Sequence, residues 1–145
     1  MTKRNLFLLG VLILAQLVYA GNWDDTKAQA KQENKLILLK FSGSDWCGPC
    51  IQLQKVIIDD PVFEQFAHEK LVLFKADFPR LKKNQLPKEQ QAINDQLAET
   101  YNPEGEFPCM VLIDAQGNTL RKWHGYDKKH TAQDYMADVN AFINE

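Results

Sequence analysis

Two cysteines, Cys47 and Cys50, stand three positions apart in the segment Trp46-Cys47-Gly48-Pro49-Cys50, between a short apolar run and a stretch of helical spacing. Residues i and i+3 are neighbours on a helix, so the two sulfurs can close a disulfide with little backbone movement. A sulfur at the very start of a helix meets the positive end of the dipole and unpaired backbone N–H groups, which stabilise a thiolate. Cys47 is therefore the expected attacking sulfur. Cys50, one turn in and more buried, is the expected resolving thiol that breaks a mixed disulfide on Cys47. Pro49 suits the first turn, where its missing N–H is not needed, and it limits how far reduced sulfurs drift apart.

Other uses of such a pair are weighed against this one. A zinc tetrad needs two more ligands, and Cys109, His68, His124 and His130 show no paired spacing. A structural staple gains most from closing a long loop, whereas this pair closes a short one at an exposed helix start. Cys109 reads as a small buried hydrophobe, with a third redox thiol close to the active site as the sharper alternative. The histidines read as surface residues, and no spacing of carboxylate and nucleophile recommends a hydrolase. Trp46 reads as a shield for the disulfide, Trp23 and Trp123 as packing residues.

The elements that must position the pair follow from periodicity. Residues 22–35 are polar and rich in helix formers, and read as a helix covering one side of the domain. Leu36 to Phe41 is almost wholly apolar, the pattern of a strand buried on both faces. Ser42 to Asp45 form the loop that leads to Trp46. From Cys47 the spacing is helical, with Leu53, Val56 and Ile57 on one face as far as Asp59 and Asp60. A new helix starts at Pro61, capped by Asp60, with Phe63, Phe66 and Ala67 inward.

Leu71 to Asp77 is the second strand. Pro79 to Lys88, with Arg80, Lys82, Lys83 and Lys88, reads as an exposed, solvated excursion. Ala92, Ile93, Leu97 and Tyr101 mark another helix, ended by Pro103 and Gly105. Phe107–Ile113 and Thr119–Trp123 then form an antiparallel hairpin around Gly117. Thr131 and Asp134 resemble a capping box for a last helix whose Tyr135, Val139, Phe142 and Ile143 share one side. The order is α, β, α, α, β, α, β, β, α, an α/β class with a central mixed β-sheet flanked by helices on both faces.

The first twenty residues read differently. Lys3 and Arg4 precede an apolar run from Leu6 to Ala15, and Val18 and Ala20 end the segment with the small residues of a secretory cleavage site. The strict run is short of the roughly 20 residues of a spanning helix. Residues 1–20 are therefore expected to be a cleaved signal peptide and 21–145 the folded domain. Cleavage moves the net charge from −2 to −4. A hydrophobic fraction of 45% and a charged fraction of 25% across 145 residues suit one globular domain, and the acidic balance argues against nucleic-acid binding. Export places the thiols in an oxidising compartment, so the expected location is periplasmic or secreted.

The Trp-Cys-Gly-Pro-Cys segment resembles the active site of the thioredoxin superfamily, and the element order extends the resemblance over residues 34–144. The resemblance implies the thioredoxin fold and a thiol/disulfide oxidoreductase without cofactor or metal, and a monomer is the expected state. It implies a cis-proline facing the disulfide, which matches Pro108, and a substrate surface of Trp46, Gly48, Pro49, Phe107 and Pro108.

The loop at residues 42–45 is one residue longer than in ordinary thioredoxins. There it looks more like exported thioredoxin-like proteins and the soluble end of membrane thiol-conducting reductases. The implied partners are disulfide-bearing proteins and a membrane thiol reductase as electron donor. The Gly-Pro dipeptide resembles reductants more than oxidants. An oxidase or isomerase, or a redox-silent binding module, are the alternatives.

One departure stands out. The family often has a buried Asp, the proton acceptor for the resolving cysteine, where this sequence has Lys40. Lys75 matches the family's usual lysine on the next strand. Two cations are then expected near the site, with Asp77 or Asp45 as counter-charge, and an ammonium there favours the thiolate.

Overall fold

The computed structural model describes residues 22–143. The expected signal segment, 1–20, lies outside the described residues. Among those described, no helix is long and apolar enough to cross a membrane.

Strand β1 (Leu36–Ser42) is the centre of the sheet. It pairs in parallel with β2 (Leu71–Asp77) and antiparallel with β3 (Cys109–Ile113), which in turn pairs antiparallel with β4 (Thr119–His124). The strand order is β2-β1-β3-β4, a mixed sheet as expected. From Ile37 to Ser42 every residue of β1 is buried, which is why its sequence runs apolar instead of alternating.

Side chains leave β1 on alternate faces. Ile37, Leu39 and Phe41 join Phe74, Leu97, Val111 and Ile113 under α1 (Trp23–Glu33) and α4 (Lys88–Tyr101). Leu38 joins Leu53, Ile57, Phe63, Met110 and Val139 on the opposite face. That face is covered by α2 (Gly48–Leu53), α3 (Pro61–Lys70) and α5 (Ala132–Ile143). Helices thus lie on both faces.

The helix boundaries have local causes. Asn22 accepts from the N–H of Asp24, Asp60 from those of Val62 and Phe63 at 2.9 and 3.2 Å, and Thr131 and Asp134 cap each other reciprocally. Trp23 packs edge-on against Phe74 and Tyr101, and Trp123 against Tyr135, the packing roles expected of them. Gly117, at φ +95°, closes the β3–β4 turn, where Tyr101 donates to its carbonyl at 2.8 Å.

Several expectations need correction. The helix from Gly48 does not run evenly to Asp59: residues Gln54–Ile58 form a wider turn in which the N–H of Asp59 reaches the carbonyl of Gln54. That extra residue per turn rotates Val56 out to solvent while Leu53 and Ile57 stay inside. Strand β3 begins at Cys109, not Phe107, and α4 already begins at Lys88.

In α4 the buried stripe is Asn94, Leu97 and Tyr101, with Ala92 exposed. Asn94 donates to the carbonyl of Asp77 at 2.9 Å and accepts from Gln90, so it is a satisfied polar anchor between α4 and the end of β2. Asn94→Ala leaves that carbonyl unpaired and opens a small cavity. It should lower unfolding stability by about 1–3 kcal/mol in a urea titration at constant m-value.

Candidate active site

Three loops meet at one end of the sheet. β1 ends at Ser42 opposite Asp77 of β2, and Phe41 stands opposite Cys109 of β3. The exit of β1, the exit of β2 and the entry to β3 therefore converge on the residues that follow Ser42.

The loop after β1 folds back at once, with the N–H of Cys47 on the carbonyl of Gly43 at 2.9 Å. Cys47 is the N-cap of α2, with its Sγ accepting from the N–H of Cys50 at 3.2 Å. The two cysteines are joined in a disulfide with a Cα–Cα distance of 5.2 Å. Pro49 occupies the first turn, exposed together with Gly48. Cys50 is enclosed, and Cys47 is only 5% exposed, a correction to the open helix start expected from its position.

Trp46, next to Cys47 in the chain, is held by the two neighbouring loops. Its indole N–H donates to the carbonyl of Phe78 at 2.8 Å, its ring meets Phe107 edge-on, and the guanidinium of Arg80 lies 3.6 Å over it. Phe78 packs edge-on against Phe107 in turn. The Phe107–Pro108 peptide bond is cis, as the resemblance implies, and Pro108 is buried at the entry to β3. Gly43 must be glycine here, because a Cβ would lie 2.3 Å from the indole ring.

The two carboxylates expected as counter-charges divide their work. Asp77 stands 3.7 Å from the ammonium of Lys75 and accepts from the N–H and hydroxyl of Ser44. Asp45 does not serve that purpose. It accepts from the N–H groups of Arg80 and Leu81 and from the Asn84 amide, and those bonds, the Arg80 N–H first, hold its carboxyl below the usual range. A short polar side chain can satisfy consecutive N–H groups of a loop more cheaply than it can face a distant ammonium.

Lys40 is buried on the α2 face of β1, 6% exposed, with its ammonium on the side-chain oxygen of Gln54, one turn beyond Cys50. Gln54 in turn donates to Asp59 at 2.6 Å. Burial first, and Lys75 second, push the pKa of Lys40 down to about 8, while Asp59 and Asp77 pull it upward. The expected second cation is therefore charged only below about pH 8.

Cys109 has no exposed surface, lies in the α1/α4 half of the core, and burial pushes its thiol up to about 11. His68 and His124 are exposed as expected. His130 is half-buried between Tyr135 and Asp138, which takes it out of the surface class. Gly43, Gln54, Asp59 and Phe78 were not singled out by sequence reasoning. A glycine three residues before a tryptophan is the one available signal among them.

A cysteine pair at a helix start, a stacked tryptophan and a cis-proline loop on a mixed β-sheet together define a thioredoxin-fold protein with a dithiol/disulfide centre. A family model described as thioredoxin-like matches residues 18–115, and the chain belongs to that family. It is 42% identical over 93 residues to the disulfide bond reductase DsbH of Chlamydia pneumoniae, covering 64% of this chain and 54% of the relative. It is 27% identical over 98 residues to the thioredoxin-related protein DsbJ of the same organism, covering 67% of this chain and 27% of DsbJ. The chain thus spans about half the length of the first of these curated relatives and less of the second. A solved structure of DsbH oxidoreductase superposes with a TM-score of 0.75 at 31% identity, covering 99% of this chain and 95% of that one.

Two outcomes follow from the buried groups. Because folded Lys40 releases its proton near pH 8 and an unfolded lysine near 10.5, the folded state binds fewer protons between those values. Stability of the oxidised protein then rises with pH across that window, by about 3 kcal/mol relative to Lys40→Met, which lacks the titration. Parallel denaturant titrations at pH 7 and pH 10 measure the difference, and equal slopes for the two proteins would refute it. For Cys109, iodoacetamide at pH 8 should leave the thiol of the folded protein unlabelled and modify it only after denaturation, as read by peptide mass.

Proposed function

We propose that this protein is an exported thiol/disulfide oxidoreductase that reduces disulfides in other proteins. The observation that carries the reading is the Cys47–Cys50 disulfide at the start of α2, on a thioredoxin-like fold that also holds a cis Phe107–Pro108 bond at the entry to β3. The naming of the DsbH relative as a disulfide bond reductase supports the reducing direction.

In the reducing direction the Cys47 thiolate attacks one sulfur of a substrate disulfide. A Cys47–substrate bond forms, the substrate bond breaks, and the departing sulfur leaves as a thiolate that takes up a proton. Cys50, having lost its proton, attacks Cys47, releases the second substrate sulfur and leaves the protein oxidised. Two electrons pass from protein to substrate. The N–H groups at the start of α2 favour the thiolate at Cys47. Pro108 and Phe107 are the residues that hold the substrate strand, with Trp46, Gly48 and Pro49 completing the contact surface.

Regeneration takes two electrons from a membrane thiol reductase, the donor class that suits an exported dithiol. Residues 1–20 act as the cleaved signal, the domain works as a monomer in the periplasm or outside the cell, and no cofactor or metal takes part. Lys40 and Lys75 tune the pair from the α2 side.

The test is an equilibrium titration of residues 21–145 against defined thiol buffers, followed by tryptophan fluorescence. A single two-electron transition near about −270 mV is expected, whereas one near about −120 mV would make the protein an oxidant. No transition between those values would refute redox function.

A further inference from the structure

Residues 79–88 carry Arg80, Lys82, Lys83 and Lys88 and no carboxylate, in a chain whose net charge is −2. A solvated loop of that composition needs no explanation when it stands apart. This one does not. The Asp45 carboxylate, two residues before Cys47, grips the N–H groups of Arg80 and Leu81 and the Asn84 side chain, so the loop is fastened to the segment that carries the disulfide. The guanidinium of Arg80 is stacked on Trp46.

The charges of the loop are also free of carboxylate partners. Among the described residues none of the four cations takes part in an ion pair, and all four are exposed. The carboxylates closest in sequence to Phe107 are engaged elsewhere, Glu104 with Lys122 at 3.3 Å and Glu106 with His124. Asp45 is taken up by the loop backbone. Glu89, on the first turn of α4, is the one carboxylate adjoining the cluster in sequence.

Between this loop and the cis-proline loop runs a groove of about 420 Å³, walled by Trp46, Phe78, Pro79 and Phe107, with Arg80 and Gln91 at its polar margin. Leu81, about half exposed, extends the apolar surface along the loop. A groove with aromatic walls and a polar margin that includes the Arg80 guanidinium, beside a loop carrying three further cations, fits a segment that brings carboxylates next to an aromatic contact. A rim charge of this kind acts mainly on encounter rate and partner choice.

We infer that the groove and the basic loop form a docking surface for an acidic segment of the disulfide-bearing substrate. An apolar side chain of that segment sits against Trp46 and Phe107, and its Asp or Glu residues face Arg80, Lys82 and Lys83. The inference rests on the oxidoreductase reading and adds to it the chemistry that selects the substrate.

The test uses two peptides, each closed by one disulfide and identical except for flanks of Asp and Glu or of Lys and Arg. Binding to the oxidised protein is followed by tryptophan fluorescence, and reduction by the dithiol form is compared with the rate toward uncharged hydroxyethyl disulfide. The acidic peptide should bind and react at least about tenfold better than the basic one in low salt. The ratio should fall towards one at high salt and in the double variant Lys82→Glu, Lys83→Glu.

Equal binding of the two peptides in low salt would overturn the inference. So would a concentration-dependent dimer whose formation excludes the acidic peptide, because the surface would then belong to a second copy. A protein inert toward hydroxyethyl disulfide that still prefers the acidic peptide would refute the oxidoreductase reading and leave the docking surface standing.

Discussion

The structure depends on one strand being paired on both sides. β1 is parallel to β2 and antiparallel to β3, and this registers Ser42 with Asp77 and Phe41 with Cys109. Every backbone group of a buried strand must find a partner, so the ladder leaves little freedom in where β1 ends relative to its neighbours. The disulfide loop, the Phe78–Leu81 segment and the cis-proline loop are consequently delivered to one end of the sheet. No side-chain contact among them is needed to bring them there.

Side chains then refine what the ladder has assembled. Trp46 ties all three loops together, through its hydrogen bond to Phe78, its edge contact with Phe107 and the guanidinium stacked above it. Gly43 is the geometric condition for this, because no side chain can stand between the loop and the indole. Cys47, the residue after Trp46 in the chain, is itself only 5% exposed.

Lys40 shows how a polar group behaves when the fold places it in the core. Its neighbours on β1 are apolar, yet the wider turn at Gln54–Ile58 brings the Gln54 amide within reach of its ammonium. The cost of burial appears as weaker proton affinity instead of an unpaired charge. The electrostatics beneath the disulfide thus change near pH 8, where Lys40 releases its proton.

The sequence by itself determined the element order, the mixed sheet and the disulfide pair, because each is written locally. The apolar run at Leu36–Phe41, the caps at Asp60 and Thr131, and the i, i+3 spacing of Cys47 and Cys50 depend on near neighbours in the chain. What tertiary structure decided were contacts between residues more than thirty positions apart: Asp45 with the 80–84 loop, Asp77 with Ser44, and Trp46 with Phe78. The wide turn that exposes Val56, the burial of Cys47 and the half-buried His130 also emerged only in the folded chain, two of them from contacts within eight positions. Periodicity reports the surroundings of a residue on its own element, whereas the partner of a loop carboxylate depends on which loops the sheet has brought together.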